Sequence, residues 1–236
     1  MCLCGSTSYA QESITVAVAS SLYAQMQVQA QNYEKEHDVK IRLISGSTGR
    51  LYNQITQGAP FDVFVAADDV RPALLLKQGK AIATHAAGQG YLGLIVHSKL
   101  LSKLAQLTNP DIQHIAIANP DVAPFGMATK EILQKQGLWE LLKSKFIYAQ
   151  NALQAQMLVK KGLVDAGFVA IQKKNAALAT IPYVAVLLSD SALVRSFYQD
   201  LDTNTDVIPA KAGIYTPQKD AALMDSRLRG NDEGQA

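Results

Sequence analysis

Apolar and polar positions between Ser13 and Leu201 switch repeatedly between a two-residue and a 3.6-residue period, which predicts strands and helices in alternation. The β-branched run Ile14–Ala19 predicts a strand. Leu22, Met26, Ala30 and Tyr33 then recur at three- to four-residue spacing and predict a helix over Leu22–Glu36. Val39–Ile44 predicts a second strand, and Leu51–Gln57 a second helix, stopped by Gly58. Phe61–Ala66 is almost continuously apolar, as expected of a strand covered on both faces. Val70–Gln78, ended by Gly79, predicts a third helix. Leu92–Val96 and Ile115–Ala118 predict strands, and Lys130–Gln136, Ala152–Lys161 and Ala192–Leu201 predict helices. Alternation of this kind predicts an α/β protein of mostly parallel sheet flanked by helices.

Composition narrows the function classes. Of 236 residues, 48% are hydrophobic, enough to bury a core, so global disorder is excluded. The charge is nearly balanced, 22 basic against 20 acidic residues, with no basic stripe, which argues against a nucleic-acid partner. Val184–Leu188 is typical of the longest apolar runs, far short of the ~20 residues of a membrane span. Cys2 and Cys4 are the only cysteines, so the rest of the chain holds no disulfide or cysteine metal site. His37, His85, His97 and His114 lack the spacing of a zinc site.

Two loops carry candidate chemistry. Ala19-Ser20-Ser21 follows the first predicted strand and Gly46-Ser47-Thr48-Gly49 follows the second, each leading into a helix. Ligands of open α/β sheets sit at the carboxyl ends of strands, where helix N-termini present free N–H groups and favour anions. The hydroxyls add donors without adding charge. Two readings stand at this level: simple helix caps, worth about 1 kcal/mol each, or the two halves of an oxyanion pocket.

Longer stretches bear on that choice. ITVAVASSL (Ile14–Leu22), SGSTGRLYNQITQGAPFDVFVAADD (Ser45–Asp69), NPDVAPFGMATKEIL (Asn119–Leu133) and the weaker AGFVA (Ala166–Ala170) resemble the periplasmic molybdate-binding proteins of bacterial ABC importers. The resemblance covers about Ser13 to Leu201. It implies a two-lobed periplasmic binding protein type II fold, with the ligand cleft between lobes joined by crossover strands. The implied lobes are residues of about 11–90 with those after 184, and about 91–183. The implied ligand is molybdate or tungstate, with no cofactor, no catalysis, and molybdenum present only as the oxyanion without side-chain metal ligands. The implied partner is the transmembrane permease of an ABC transporter, and the implied protein is a periplasmic monomer. By position, Ser21 matches the hydroxyl residue of the first loop, with Ser20 beside it. Thr48 stands where the family usually has serine. Phe125 and Ala152 match helix starts that contribute backbone N–H groups. Some members place a tyrosine where this chain has Ala170, so that contact is absent or supplied otherwise.

The physical logic runs parallel. An uncharged site built only of donors suits a fully deprotonated dianion. Monohydrogen phosphate brings a proton that such a site leaves unpaired, at about 1–3 kcal/mol. Molybdate and sulfate are not separated by this reasoning. An enzyme is the main rival, through Asp62, Asp68 and Asp69, yet Asp62 opens a strand and Asp68 is placed to cap a helix. Ser21 lacks a G-x-S-x-G elbow, and Arg50 breaks any P-loop reading of GSTG. A second rival, a binding protein for sulfate, an organic acid or a sugar acid, gains ground if Arg50 enters the cleft, since carboxylate ligands usually call for an arginine clamp.

The ends read differently. Residues 1–10, ending Ser8-Tyr9-Ala10, resemble the stump of a signal peptide, with Gln11 the first mature residue. The resemblance fades after Ala179, and the family's final helix pair reads as cut after Leu201. Residues 207–236 lose apolar periodicity, and VIPAKAGI and MDSRLRGNDE resemble a translated dispersed repeat, so a disordered tail is expected and a degenerate copy is an open alternative.

Overall fold

The computed structural model describes residues 11–201 apart from Ser98 and Ser102; the signal-like stretch and the repeat-like tail lie outside the described residues. In chain order the elements begin β1 (Glu12–Ala19), α1 (Tyr23–Glu36), β2 (Val39–Gly46), α2 (Thr48–Thr56), β3 (Val63–Ala66) and α3 (Val70–Lys77). Next come β4 (Ala83–Val96), β5 (Lys99–Leu101), β6 (Ile115–Ala118), α4 (Pro124–Lys135), α5 (Trp139–Leu142) and β7 (Phe146–Ala149). The chain continues through α6 (Ala152–Lys160), β8 (Ala166–Ile171), β9 (Ala179–Leu187) and α7 (Ala192–Gln199).

The strands join in the order β2-β1-β3-β9-β4-β8-β6-β7, with β5 on the side of β4. The outer strands on each side are parallel: β2, β1 and β3 in the first lobe, β8, β6 and β7 in the second. Between them β4 and β9 are antiparallel to each other. β9 pairs β3 through Val184–Leu187 and β4 pairs β8 through Tyr91–Val96, so this strand pair passes through both lobes. The α/β type II architecture therefore holds, with antiparallel pairing concentrated where the lobes join. A β-bulge interrupts β4 between Ala86 and Gly88.

Residue parity explains why several strands are apolar throughout. Val63 and Val65 of β3 face a core shared with α1 and α7, while Phe64 and Ala66 face Leu51, Ile55 and Leu75 of α2 and α3. In the second lobe Phe168 and Ala170 of β8 join the large core, and Val169 and Ile171 a smaller one under α6. Helices α1 and α7 meet through Tyr33 and Phe197, edge to face at 5.1 Å. Gly58 (φ 89°) and Gly79 (φ 66°) terminate α2 and α3 in the left-handed region, which a side chain would strain.

Three element starts differ from the periodicity by three residues or more. Helix α2 begins at Thr48 rather than Leu51, so the second hydroxyl loop is already its first turn. Helix α4 begins at Pro124 rather than Lys130, because proline at the first helical position forfeits an N–H that has no intrahelical acceptor anyway. Strand β4 begins at Ala83 rather than Leu92.

Candidate functional site

The carboxyl ends of β1, β2 and β3 meet the starts of α4 and α6 around one small cleft. Its first-lobe wall is Ala19, Ser20, Ser21, Gly46, Ser47, Thr48 and Ala67; its second-lobe wall is Ala123, Pro124, Phe125 and Ala152. All five residues picked from the sequence, Ser20, Ser21, Thr48, Phe125 and Ala152, are therefore brought together. No lining side chain carries a charge. The empty space is about 190 Å³ with its open mouth included.

The hydroxyls do not act as helix caps. Neither the turn at Ser20–Leu22 nor α2, whose N-cap is Ser47, has a side-chain cap bond. The Oγ atoms of Ser21 and Ser47 are buried without a hydrogen-bond partner. Unpaired buried hydroxyls cost about 1–3 kcal/mol each, a cost that a hydrogen-bond-accepting guest in the cleft would relieve. Thr48 differs: its Oγ1 accepts the Ala67 N–H at 3.1 Å, which leaves its own proton free to donate. Ser47 belongs to the second candidate loop but is not among the site residues picked from the sequence; only its missing cap bond distinguishes it.

The second lobe offers backbone. Helix α4 follows an uncapped Ala123, and Pro124 has no N–H, so the Phe125 N–H is its first free donor. A Cβ on Gly126 would stand 2.1 Å from the Ala118 carbonyl, so glycine lets the helix start directly on the end of β6. At α6 the Asn151 side chain accepts the Gln154 N–H at 2.9 Å, and Ala152 opens the helix with its N–H free of intrahelical partners. No acidic residue occupies the first turn of α2, α4 or α6, so nothing in those turns competes with an anion for the positive helix ends. Ala170 is buried and brings no hydroxyl.

The lobes touch across the cleft mouth. The Gly49 N–H donates to the Val122 carbonyl at 2.9 Å, and Arg50 Nη1 donates to Gln150 Oε1 at 3.2 Å. Arg50 is thus exposed at the rim and not part of the lining, and Arg71 pairs with Asp68. Among the described residues, no arginine lines the cleft. Of the carboxylates weighed for catalysis, Asp62 Oδ2 accepts the Thr15 N–H and Asp68 Oδ1 accepts the Arg71 N–H, while Asp69 is exposed and outside the lining. Among the described residues, no group of three His, Asp or Glu side chains is arranged around a metal position.

Two lobes on a pair of shared strands, closing on a neutral cleft of donors, define a type II solute-binding protein. The chain belongs to the bacterial extracellular solute-binding protein family, whose pattern matches residues 14–223 and so runs past Val207 into the stretch that reads as a tail. It is similar to the molybdate-binding protein ModA of Azotobacter vinelandii, 38% identical over 68% of this chain and 65% of that protein. The chain thus spans just under two thirds of that relative's length. The molybdate-binding protein ModA of Escherichia coli is 31% identical over 80% of this chain and 82% of its own. Among solved structures, an Azotobacter vinelandii periplasmic molybdate-binding protein superposes with a TM-score of 0.72 at 27% identity, over 80% of this chain and 92% of that one.

Proposed function

We propose that this protein binds molybdate, or tungstate of the same shape and charge, and delivers it to the permease of an ABC importer. It does so as a periplasmic monomer, without a cofactor and without catalysing a reaction. The observation that carries this reading is the convergence of buried, unpartnered Ser21 and Ser47 hydroxyls on a cleft with no charged lining side chain. Such a site recognises an anion by directed N–H and O–H donors and rejects one that must itself donate. Among the described residues no arginine lines the cleft, so the clamp that organic and sugar acids usually require is not there. The names of the relatives point the same way.

In this reading Ser21 and Thr48 donate through their hydroxyls, with Ser20 beside them, and Phe125 and Ala152 through backbone N–H groups. The contact between Gly49 and Val122 closes the lobes over the ligand. The test is parallel calorimetric titration of the full chain with molybdate, tungstate, sulfate and phosphate. Molybdate and tungstate are expected to bind tightly and phosphate not at all. Phosphate binding as tight as molybdate, or no binding of any oxyanion, would overturn the proposal.

A further inference from the structure

Tyr183 lies outside the cleft lining, on the shared strand β9, yet its hydroxyl reaches toward it. The side chain is 5% exposed. A Cβ on Gly90 would stand 2.0 Å from Tyr183 Oη and 3.1 Å from Cζ of Phe125, so the phenol tip fills the space over Gly90 beside a ring that lines the cleft. Ser21, which lines the cleft together with Phe125, lies within interaction range of the same phenol. Burial pushes the Tyr183 phenol up to about 12, and the nearby Ser21 hydroxyl pulls it the other way. Ser21 Oγ itself is buried and makes no hydrogen bond of ordinary geometry.

Thr48 shows what a finished arrangement looks like. The Ala67 N–H occupies one acceptor site on Oγ1, and the hydroxyl proton is left to point elsewhere. Ser21 has no such backbone donor behind it; Tyr183 is the group placed to serve. We propose that Tyr183 is a positioning residue of the anion site, donating its O–H to Ser21 Oγ so that the single Ser21 proton turns toward the bound oxyanion. A hydroxyl gives one proton and accepts others, and a chain of two such bonds strengthens the terminal donor. The reverse polarity would spend the Ser21 proton on the phenol and leave a lone pair facing a dianion. Gly90 is the necessary counterpart, because any side chain there displaces the phenol.

This inference rests on the oxyanion function proposed above. It is tested by a double-mutant cycle on the full chain, in which wild type, Tyr183→Phe, Ser21→Ala and the double variant are titrated with molybdate. Denaturant midpoints of the ligand-free proteins are read alongside. Tyr183→Phe is expected to weaken Kd roughly three- to tenfold. In the Ser21→Ala background it should change Kd by less than about twofold, because Tyr183 acts only through Ser21. A purely structural tyrosine would lower the midpoint and weaken Kd alike in both backgrounds. Equal losses in both backgrounds, or a Kd that Tyr183→Phe leaves unmoved while wild type binds, overturn the positioning role alone. A wild type that binds no oxyanion brings down the proposed function and this role with it.

Discussion

The two walls of the cleft use different chemistry for the same task. The first lobe presents side-chain hydroxyls, of which Ser21 and Ser47 are unpartnered and Thr48 is held by Ala67. The second presents backbone at the starts of α4 and α6, where Phe125 and Ala152 contribute position rather than side-chain chemistry. Hydroxyl donors can be deleted one at a time by substitution. Backbone donors survive almost any change of their own side chain, and fail only when the helix carrying them is displaced. The first wall is therefore sensitive at its donors, and the second at its packing.

That contrast can be broken most severely at Gly126. With Ala118 O at 2.1 Å from the added Cβ, Gly126→Ala must push α4 off β6. Binding is expected to be lost and stability to fall by about 1–3 kcal/mol, checked by titration and denaturant unfolding. The next largest effects fall on the hydroxyl wall. Ser21→Ala should weaken molybdate by ten- to over a hundredfold, about 1.5–3 kcal/mol, with the denaturant midpoint almost unchanged. Thr48→Ala should cost affinity and also stability, because it orphans the buried Ala67 N–H; Thr48→Ser should restore both. A Ser21→Ala protein with lower midpoint and intact Kd would mean that the hydroxyl serves the fold instead.

Gly49→Ala sharpens the comparison at the seam between the walls. Its Cβ would stand 2.9 Å from the Val122 carbonyl in the closed form. Closure is expected to lose about 1–2 kcal/mol, a five- to thirtyfold weaker Kd, while small-angle scattering shows a more open ligand-free chain. The smallest effect belongs to Arg50→Ala, which removes an exposed rim contact to Gln150. Its Kd should move by about twofold or less, by the same titration.

How much of this was legible in the sequence depended on where the apolar signal sits. The outer strands announce themselves because Val63–Ala66 and Ile115–Ala118 are buried on both faces. The first half of β4, ATHAAGQG, was silent, since its residues are small or polar and Gly90 leaves its volume to Tyr183 on the neighbouring β9. Its pairing is specified by its partners' side chains, which no local window contains. Helix α4 was read late because Pro124 and Gly126 look like turn residues until the Ala118 carbonyl shows what the glycine admits. Five cleft residues were reached through the resemblance and through strand-end logic. Ser47 was missed because a hydroxyl that caps and one that waits for a ligand are identical letters.

The absence of charge from the cleft lining has a further consequence for the protein as a whole. In the proposed function, no titratable side chain lines the cleft to take up a proton as the dianion enters, so the complex carries the ligand's two negative charges in full. The chain's formal net charge is +2, and one bound dianion brings that total to zero. Loading by such a ligand would shift the isoelectric point below the empty chain's value of about 8.4 and slow migration toward the cathode. Empty and loaded carriers become electrically distinct particles, separable by native electrophoresis even where their shapes nearly coincide.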